Sequence, residues 1–225
     1  MIKAVIFDLD DTLYAYEPLD KEACERVREF ACAEFGITAQ KYEEAFLYGK
    51  SETKRSLGDV ASCHNRMLYF QKTLEYLGVN PVPMSLQLYE TYWGTFLEKM
   101  VLREGARQFL DAMHKQGIRV MVCTDLTAHI QHRKIDALGI ADDICCLVTS
   151  EEAGKEKPSG EIFALCLEKL KVLPGEICFI GDNFKKDIEG AKAAGMQAFW
   201  FDTLKPSAAQ FEKAAQYILG KGRYL

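Results

Sequence analysis

Ala4-Val5-Ile6-Phe7-Asp8-Leu9-Asp10-Asp11-Thr12 is the stretch that decides how this chain is read. Its first four residues are apolar, β-branched or aromatic, the composition of a buried strand. The run then stops in three carboxylates and a hydroxyl. Unpaired charge is expensive to bury, so these groups belong at the open carboxyl end of the strand, where α/β sheets bind their ligands. The strand period of two sends Asp8 and Asp10 to one side. Two carboxylates placed together demand a cation, a proton or a positive ligand between them.

Working outward, the character of the chain changes after residue 15. Residues 20–100 carry helical periodicity and almost no strand signal. Asp20 reads as the cap of a helix that reaches Phe35 and stops at Gly36; further helices cover Ala39–Tyr48, Cys63–Leu77, stopped by Gly78, and, after the break at Pro81 and Pro83, Ser85–Met100. From Leu102 helices alternate with short apolar runs. Those runs are Arg119–Cys123, Cys145–Val148, Ile177–Ile180 and Gln197–Phe201, and the helices are Gly105–Gln116, Ala128–Leu138, Ser159–Leu170, Lys185–Ala194 and Ser207–Leu219. Such alternation predicts a parallel sheet with right-handed crossovers. The first strand, Ile2–Phe7, must join that sheet, since it is too short to stand alone. The expected organisation is an α/β core of residues 1–15 and 101–225, with an all-helical module of residues 16–100 inserted beside the carboxylate cluster. A module there suits a cap over a site. Gly220–Leu225 reads as a short tail.

Composition narrows the function. Net charge is −5, so no general attraction to nucleic acid is expected. No apolar run approaches the ~20 residues of a spanning helix, and Asp8 breaks the N-terminal run too early for a signal peptide. No membrane partner and a cytoplasmic location are therefore expected. The eight cysteines form no CxxC pair and no zinc spacing. Cys123, Cys145, Cys146 and Cys178 lie in apolar runs and read as small buried hydrophobes.

Four polar clusters fall at predicted strand ends: Asp8/Asp10/Thr12, then Thr124-Asp125, then Lys157-Pro158, then Gly181-Asp182-Asn183-Phe184-Lys185-Lys186-Asp187. In a parallel sheet these ends share one edge, so the clusters should converge on one site. Taken alone, Asp-x-Asp-x-Thr could be part of a calcium loop. The glycine and glutamate that such a loop requires at its sixth and twelfth positions are here Leu13 and Leu19. Alone, Gly181–Asp187 could be a turn opening a helix with acidic residues, and Lys157 a solvated surface lysine.

In order and on alternating strands, the four clusters resemble the signatures of the haloacid dehalogenase superfamily of hydrolases: Asp-x-Asp-x-Thr as Asp8 to Thr12, a threonine after the second strand as Thr124, a lysine before proline as Lys157, and Gly-Asp-x₄-Asp as Gly181 to Asp187. The run from Phe7 to Tyr14 is similar to that family's phosphatase branch, and Asp10, absent from the dehalogenase branch, argues against carbon–halogen cleavage. The resemblance implies a Rossmann-like core with a C1-type helical cap. It also implies a Mg²⁺-dependent phosphatase acting on a small-molecule phosphate ester through an aspartyl-phosphate. Sugar phosphates, phosphoglycolate and nucleoside monophosphates are the substrate classes it suggests.

By the same resemblance, Asp8 would be the nucleophile and Asp10 the acid/base, its backbone carbonyl also ligating the metal. Asp8 and Asp182 would supply metal carboxylates, Thr124 would donate to the phosphoryl oxygens, and Lys157 would offset the charge of nucleophile and phosphate. Asp187 would hold a metal-bound water or Lys157, with Asn183 beside it. Asp125 stands where this family often has asparagine, and reads as the N-cap of the helix that follows. A phosphomutase of the β-phosphoglucomutase type and a non-catalytic regulatory protein retaining the fold are the alternative functions. In the helical module, Lys50, Lys54, Arg55, His64 and Arg66 could read a second anionic group, though most such charges are merely solvated. Tyr14, Tyr16, Phe46, Tyr48 and Phe70 could line a specificity pocket, though helical spacing makes most of them core.

Overall fold

The computed structural model describes residues 1–58 and 60–220, so all of the tail but Gly220 lies outside the described residues. Two compact units form, one from Met1–Ala15 with Val101–Leu225 and one from Tyr16–Met100.

In chain order the first unit holds β1 (Ala4–Phe7). The second unit follows, with α1 (Tyr16–Phe35), α2 (Ala39–Leu57), α3 (Arg66–Tyr76) and α4 (Ser85–Glu98). The first unit then resumes with α5 (Ala106–Lys115), β2 (Arg119–Thr124), α6 (Ala128–Ala137), β3 (Cys146–Thr149), α7 (Ser150–Ala153) and α8 (Gly160–Leu170). It ends with β4 (Ile177–Gly181), a π-helical stretch (Phe184–Glu189), α9 (Gly190–Ala193), β5 (Gln197–Trp200) and α10 (Ser207–Leu219). No helix among the described residues is long and apolar enough to cross a membrane.

The five strands form one parallel sheet in the order β3-β2-β1-β4-β5. β1 is central, and its four residues are fully buried. Its side chains alternate between two layers, as the strand period requires. Ala4 and Ile6 join a core with Met121, Phe163, Phe179 and Ala191. Phe7 points the other way, 5.3 Å from the Phe109 ring and 6.3 Å from that of Phe211. A sheet covered on both faces explains why its strands read as unbroken apolar runs. The chain leaves β1 for β2 on one side and later crosses to β4 on the other. The crevice beyond the end of β1 is therefore a topological switch point, the place where such sheets bind ligands.

The helical unit packs α2 closely against α3. A Cβ on Gly49 would lie 2.5 Å from the Tyr69 carbonyl oxygen, so only glycine allows that approach. α1 starts at Tyr16, and Asp20 lies inside it instead of capping it. Pro18 is tolerated because it falls in the first turn. α2 runs on to Leu57, well past Tyr48, and Tyr48 is exposed. Cys145 departs from the sequence reading too: it is exposed, just before the edge strand β3, and Cys146 is half-buried.

Candidate active site

The backbone pairing of β1 continues one residue past the strand, with the Asp8 N–H donating to the Ile180 carbonyl at 2.9 Å. This extension holds the Asp8 carboxylate at the switch point, nearly buried. The Lys157 ammonium donates to Asp8 Oδ1 at 2.6 Å, to Asp187 Oδ1 at 2.8 Å and to the Cys123 carbonyl at 3.3 Å. Asp187 is fully buried, and its Oδ2 accepts the Asn183 N–H at 3.0 Å. Gly181 makes room for this carboxylate: a Cβ there would lie 2.4 Å from Asp187 Oδ2. The Asn183 side chain turns away to cap the π-helical stretch through the Lys186 N–H.

Asp8, Asp182 and Asp187 bring carboxylate oxygens within 4.8 Å of one another. Thr12, fully buried, approaches Asp182 Oδ1 at 3.5 Å. Burial, together with the charges of Asp187 and Asp10, pushes the Asp8 carboxyl well above the usual range against the pull of Lys157. Burial and then Asp187 and Asp11 raise Asp182 to about 6. For Lys157, burial favours the neutral amine, but Asp187, Asp8 and Asp125 outweigh it and hold the ammonium charged. Three clustered carboxylates against Lys157 leave the site short of positive charge. Hard carboxylate oxygens in that condition could hold a metal ion. Asp187 already has both oxygens engaged, so Asp8 and Asp182 are the better placed ligands.

Asp10 is bound differently. Its Oδ1 accepts from Lys134 Nζ at 2.7 Å and from the Tyr14 hydroxyl at 2.5 Å, and its Oδ2 accepts from Lys134 at 3.0 Å. Both Lys134 and Tyr14 are fully buried. Thr124, at the end of β2, receives a hydrogen bond from Gln131 Nε2 at 2.7 Å, and the same amide donates to the Asp125 carbonyl at 2.6 Å. A flipped amide would set its oxygen against that carbonyl, so the orientation of Gln131 is determined.

Asp125 does not cap α6. The Ala128 N–H at the start of that helix is taken by Glu151 Oε2 at 2.8 Å. Asp125 instead accepts the Lys157 N–H at 3.0 Å on Oδ1 and the Lys186 ammonium at 2.8 Å on Oδ2, and Lys186 also reaches Glu156 at 3.1 Å. The carboxylate that stands where this family often has asparagine is thus engaged by the Lys157 backbone and the Lys186 ammonium. In the helical unit, Arg66 is buried and paired with Asp20, and Arg55 is paired with Glu52.

The structure therefore gathers Asp8, Asp182, Asp187 and Lys157 in one cluster, with Asp10 and Thr124 fastened by α6 and Asp125 anchoring Lys157. Sequence reasoning missed Lys134, Gln131 and Lys186. Gln131 and Lys134 are three residues apart and so share a helix face, which is the one signal that could have grouped them.

A family model of haloacid dehalogenase-like hydrolases matches residues 2–195. The chain belongs to that family. It is similar to a ribulose-1,5-bisphosphate 5-phosphatase from Halopiger xanaduensis, 36% identical over 214 residues, which cover 93% of this chain and 88% of that one. It is also similar to a glyceraldehyde 3-phosphate phosphatase from Methanopyrus kandleri, 32% identical over 197 residues, with 87% and 82% covered. Among solved structures, a haloacid dehalogenase-family phosphatase from Thermococcus onnurineus superimposes with a TM-score of 0.69 at 25% identity, over 89% of this chain and 86% of that one. Within the haloacid dehalogenase-like family, this chain is a phosphoric monoester hydrolase.

Proposed function

We propose that this phosphatase hydrolyses a small phosphorylated metabolite, foremost a short sugar phosphate, through an aspartyl-phosphate on Asp8 and with Mg²⁺ as cofactor. The observation that carries the reading is the Asp8 carboxylate, aimed from the end of the central strand and held at 2.6 Å by a buried lysine in a cluster short of cations. The relatives named for ribulose-1,5-bisphosphate and glyceraldehyde 3-phosphate support the substrate class.

In the first half-reaction a carboxylate oxygen of Asp8 bonds to phosphorus and the ester P–O bond breaks. Asp10 gives its proton to the departing oxygen. In the second, Asp10 takes a proton from water as that water's oxygen bonds to phosphorus, and the bond to Asp8 breaks to release inorganic phosphate. Phosphoryl transfer depends chiefly on positioning and charge neutralisation. Lys157 neutralises one oxygen of the nucleophile, and the Thr124 hydroxyl, which donates to the Asp125 carbonyl at 3.2 Å, would turn to donate to the phosphoryl group. Mg²⁺, held by Asp8, Asp182 and the Asp10 carbonyl, would supply the remaining positive charge. A cap role for the helical unit is inferred from its insertion in the chain between Ala15 and Val101, directly after the first carboxylate cluster.

The test is phosphate release from a panel of sugar phosphates and other small esters, with Mg²⁺ and with chelator. Turnover that requires Mg²⁺, together with a phosphoenzyme trapped by acid quench and absent in Asp8→Asn, supports the reading. Turnover by Asp8→Asn at the native rate overturns it. Accumulation of an isomeric sugar phosphate in place of inorganic phosphate would identify a mutase instead.

A further inference from the structure

We propose that Lys134 is a positioning residue for the acid/base Asp10, and that it fixes which carboxylate oxygen carries the proton. This inference rests on the role given to Asp10 above.

Lys134 sits on α6, 124 residues from Asp10 in sequence, with no exposed surface. A buried ammonium without a carboxylate partner is strongly disfavoured. Yet a buried ion pair is weak support for stability as such, because apolar residues of similar volume often serve as well or better. What the pair supplies is geometry. Nζ contacts both oxygens of Asp10, at 2.7 and 3.0 Å, which sets the plane of the carboxylate. It also lies 5.7 Å from the centre of the Tyr14 ring, and the hydroxyl of that ring donates to Oδ1. Among the described residues, Oδ1 thus accepts two donors and Oδ2 one. Oδ2 is the oxygen with lone-pair capacity left for a proton, so the proton passes to the leaving oxygen, and later from water, through Oδ2.

The demand for such a brace is chemical. Asp10 lies in the turn after β1, where an aspartate can rotate about two side-chain bonds. It must meet the leaving oxygen in one half-reaction and a water in the next. A misplacement of about 1 Å costs on the order of 10²-fold in rate. The same face of α6 carries Gln131, three residues earlier, which orients Thr124. One helix face therefore aligns both the acid/base and the phosphoryl donor.

The test is a double-mutant cycle between Lys134→Met and Asp10→Asn, read with two probe esters. p-Nitrophenyl phosphate has a good leaving group and phenyl phosphate a poor one. kcat/KM reports the step in which the leaving group departs. Lys134→Met is expected to lower kcat/KM on phenyl phosphate by about 10- to 100-fold and on p-nitrophenyl phosphate by about threefold or less, since general-acid catalysis contributes about 10²–10⁴-fold where it is needed. In the Asp10→Asn background the same change should cost nothing further. Equal losses on both esters, or additive losses in the cycle, overturn the inference. If Asp10→Asn itself lost no more on phenyl phosphate than on p-nitrophenyl phosphate, the acid/base reading of Asp10 would fail instead. Should the methionine chain not fold, Lys134→Gln is read through the same cycle and by the same criteria.

Discussion

The Lys157 ammonium lies 2.6 Å from Asp8 Oδ1, and their side chains retain only 3% and 10% of their exposure. Little water reaches either group, so each depends on the other for neutralisation. Lys157→Met leaves Asp8 and Asp187 facing each other in a dry pocket. Removing one partner of a buried pair costs about 3–5 kcal/mol. Urea unfolding in chelator should show a loss of that order, and turnover should fall by at least ~10³-fold. A methionine chain as stable as the native one would mean that the lysine is not what holds the two carboxylates.

The carboxylates that gather at the site should make the metal-free protein lose stability as pH rises toward neutrality. Burial and Asp187 raise Asp182 to about 6, and burial raises Asp8 as well. A carboxyl with a raised folded pKa binds protons more tightly folded than unfolded. Its contribution to stability is present below the unfolded value and is lost as pH rises through the folded one. In chelator, Tm should therefore fall as pH rises from about 4 through about 6. A metal ion at these carboxylates would bind their deprotonated forms, so, if the ion is Mg²⁺, its addition should raise Tm more at pH 7 than at pH 5. Calorimetry at the two pH values, with and without Mg²⁺, checks both signs.

Asp125 bonds to the Lys157 N–H with one oxygen and to Lys186 with the other. Asparagine in its place keeps the first bond and loses the second, which is a partly exposed ion pair. Such pairs are worth about 0–1 kcal/mol. Asp125→Asn should therefore stay within about threefold of native kcat. Asp125→Ala, which also frees the Lys157 backbone, should fall well below it, by roughly 10-fold or more. Steady-state kinetics on p-nitrophenyl phosphate rank the two. The reverse ranking would show that the acidic charge itself matters.

How far the sequence revealed this site follows from where each residue's partners lie. Asp8, Thr124 and Asp182 were legible because each lies within two residues of the end of an apolar run that reads as a buried strand. Lys134 was not, because a lysine within an amphipathic helix ordinarily faces solvent. Only the placement of α6 beside the turn after β1 buries it, and that is a tertiary fact. Asp125 showed the local signature of an N-cap, but Glu151 took the cap from a distant segment. Asp20 was misplaced for a related reason: its partners, Arg66 and Tyr92, come from other helices and draw it into the body of α1. The parallel core was readable from alternation alone, whereas the side-chain braces among its loops depend on pairings that no local pattern encodes.

Gly181 offers a test of crowding at the site. Alanine there would drive a methyl group into the Asp187 carboxylate, at 2.4 Å from Oδ2. Neither side can yield easily, since one is β4 backbone and the other is fully buried. Overpacking of this kind costs typically 1–3 kcal/mol. Gly181→Ala should lose about that much in urea unfolding. It should lose proportionately more in turnover, because Asp187 would move off Lys157. Native activity would show that Asp187 does not need its present position.

In the helical unit the Arg66 guanidinium is paired with Asp20 at 3.2 Å and accepted by the His64 carbonyl at 3.0 Å. It also lies over the Tyr69 and Tyr92 rings at 5.1 and 5.2 Å. Burial alone would raise the Asp20 carboxyl, but Arg66 and the hydroxyls of Tyr92 and Tyr16 bring it below its ordinary value. A depressed folded pKa gives stability that is present above the unfolded value and lost as pH falls through the folded one. Arg66→Met removes the main cause of that depression. The variant should lose about 3 kcal/mol at pH 7, and its deficit relative to the native chain should shrink as pH is lowered toward 3. In Asp20→Asn/Arg66→Met no unpaired charge remains, so the double variant should lose less than the two single losses combined. Urea midpoints at pH 7 and near pH 3 measure both effects. An unchanged deficit across that range would mean that Arg66 stabilises through ring packing alone, without drawing on the charge of Asp20.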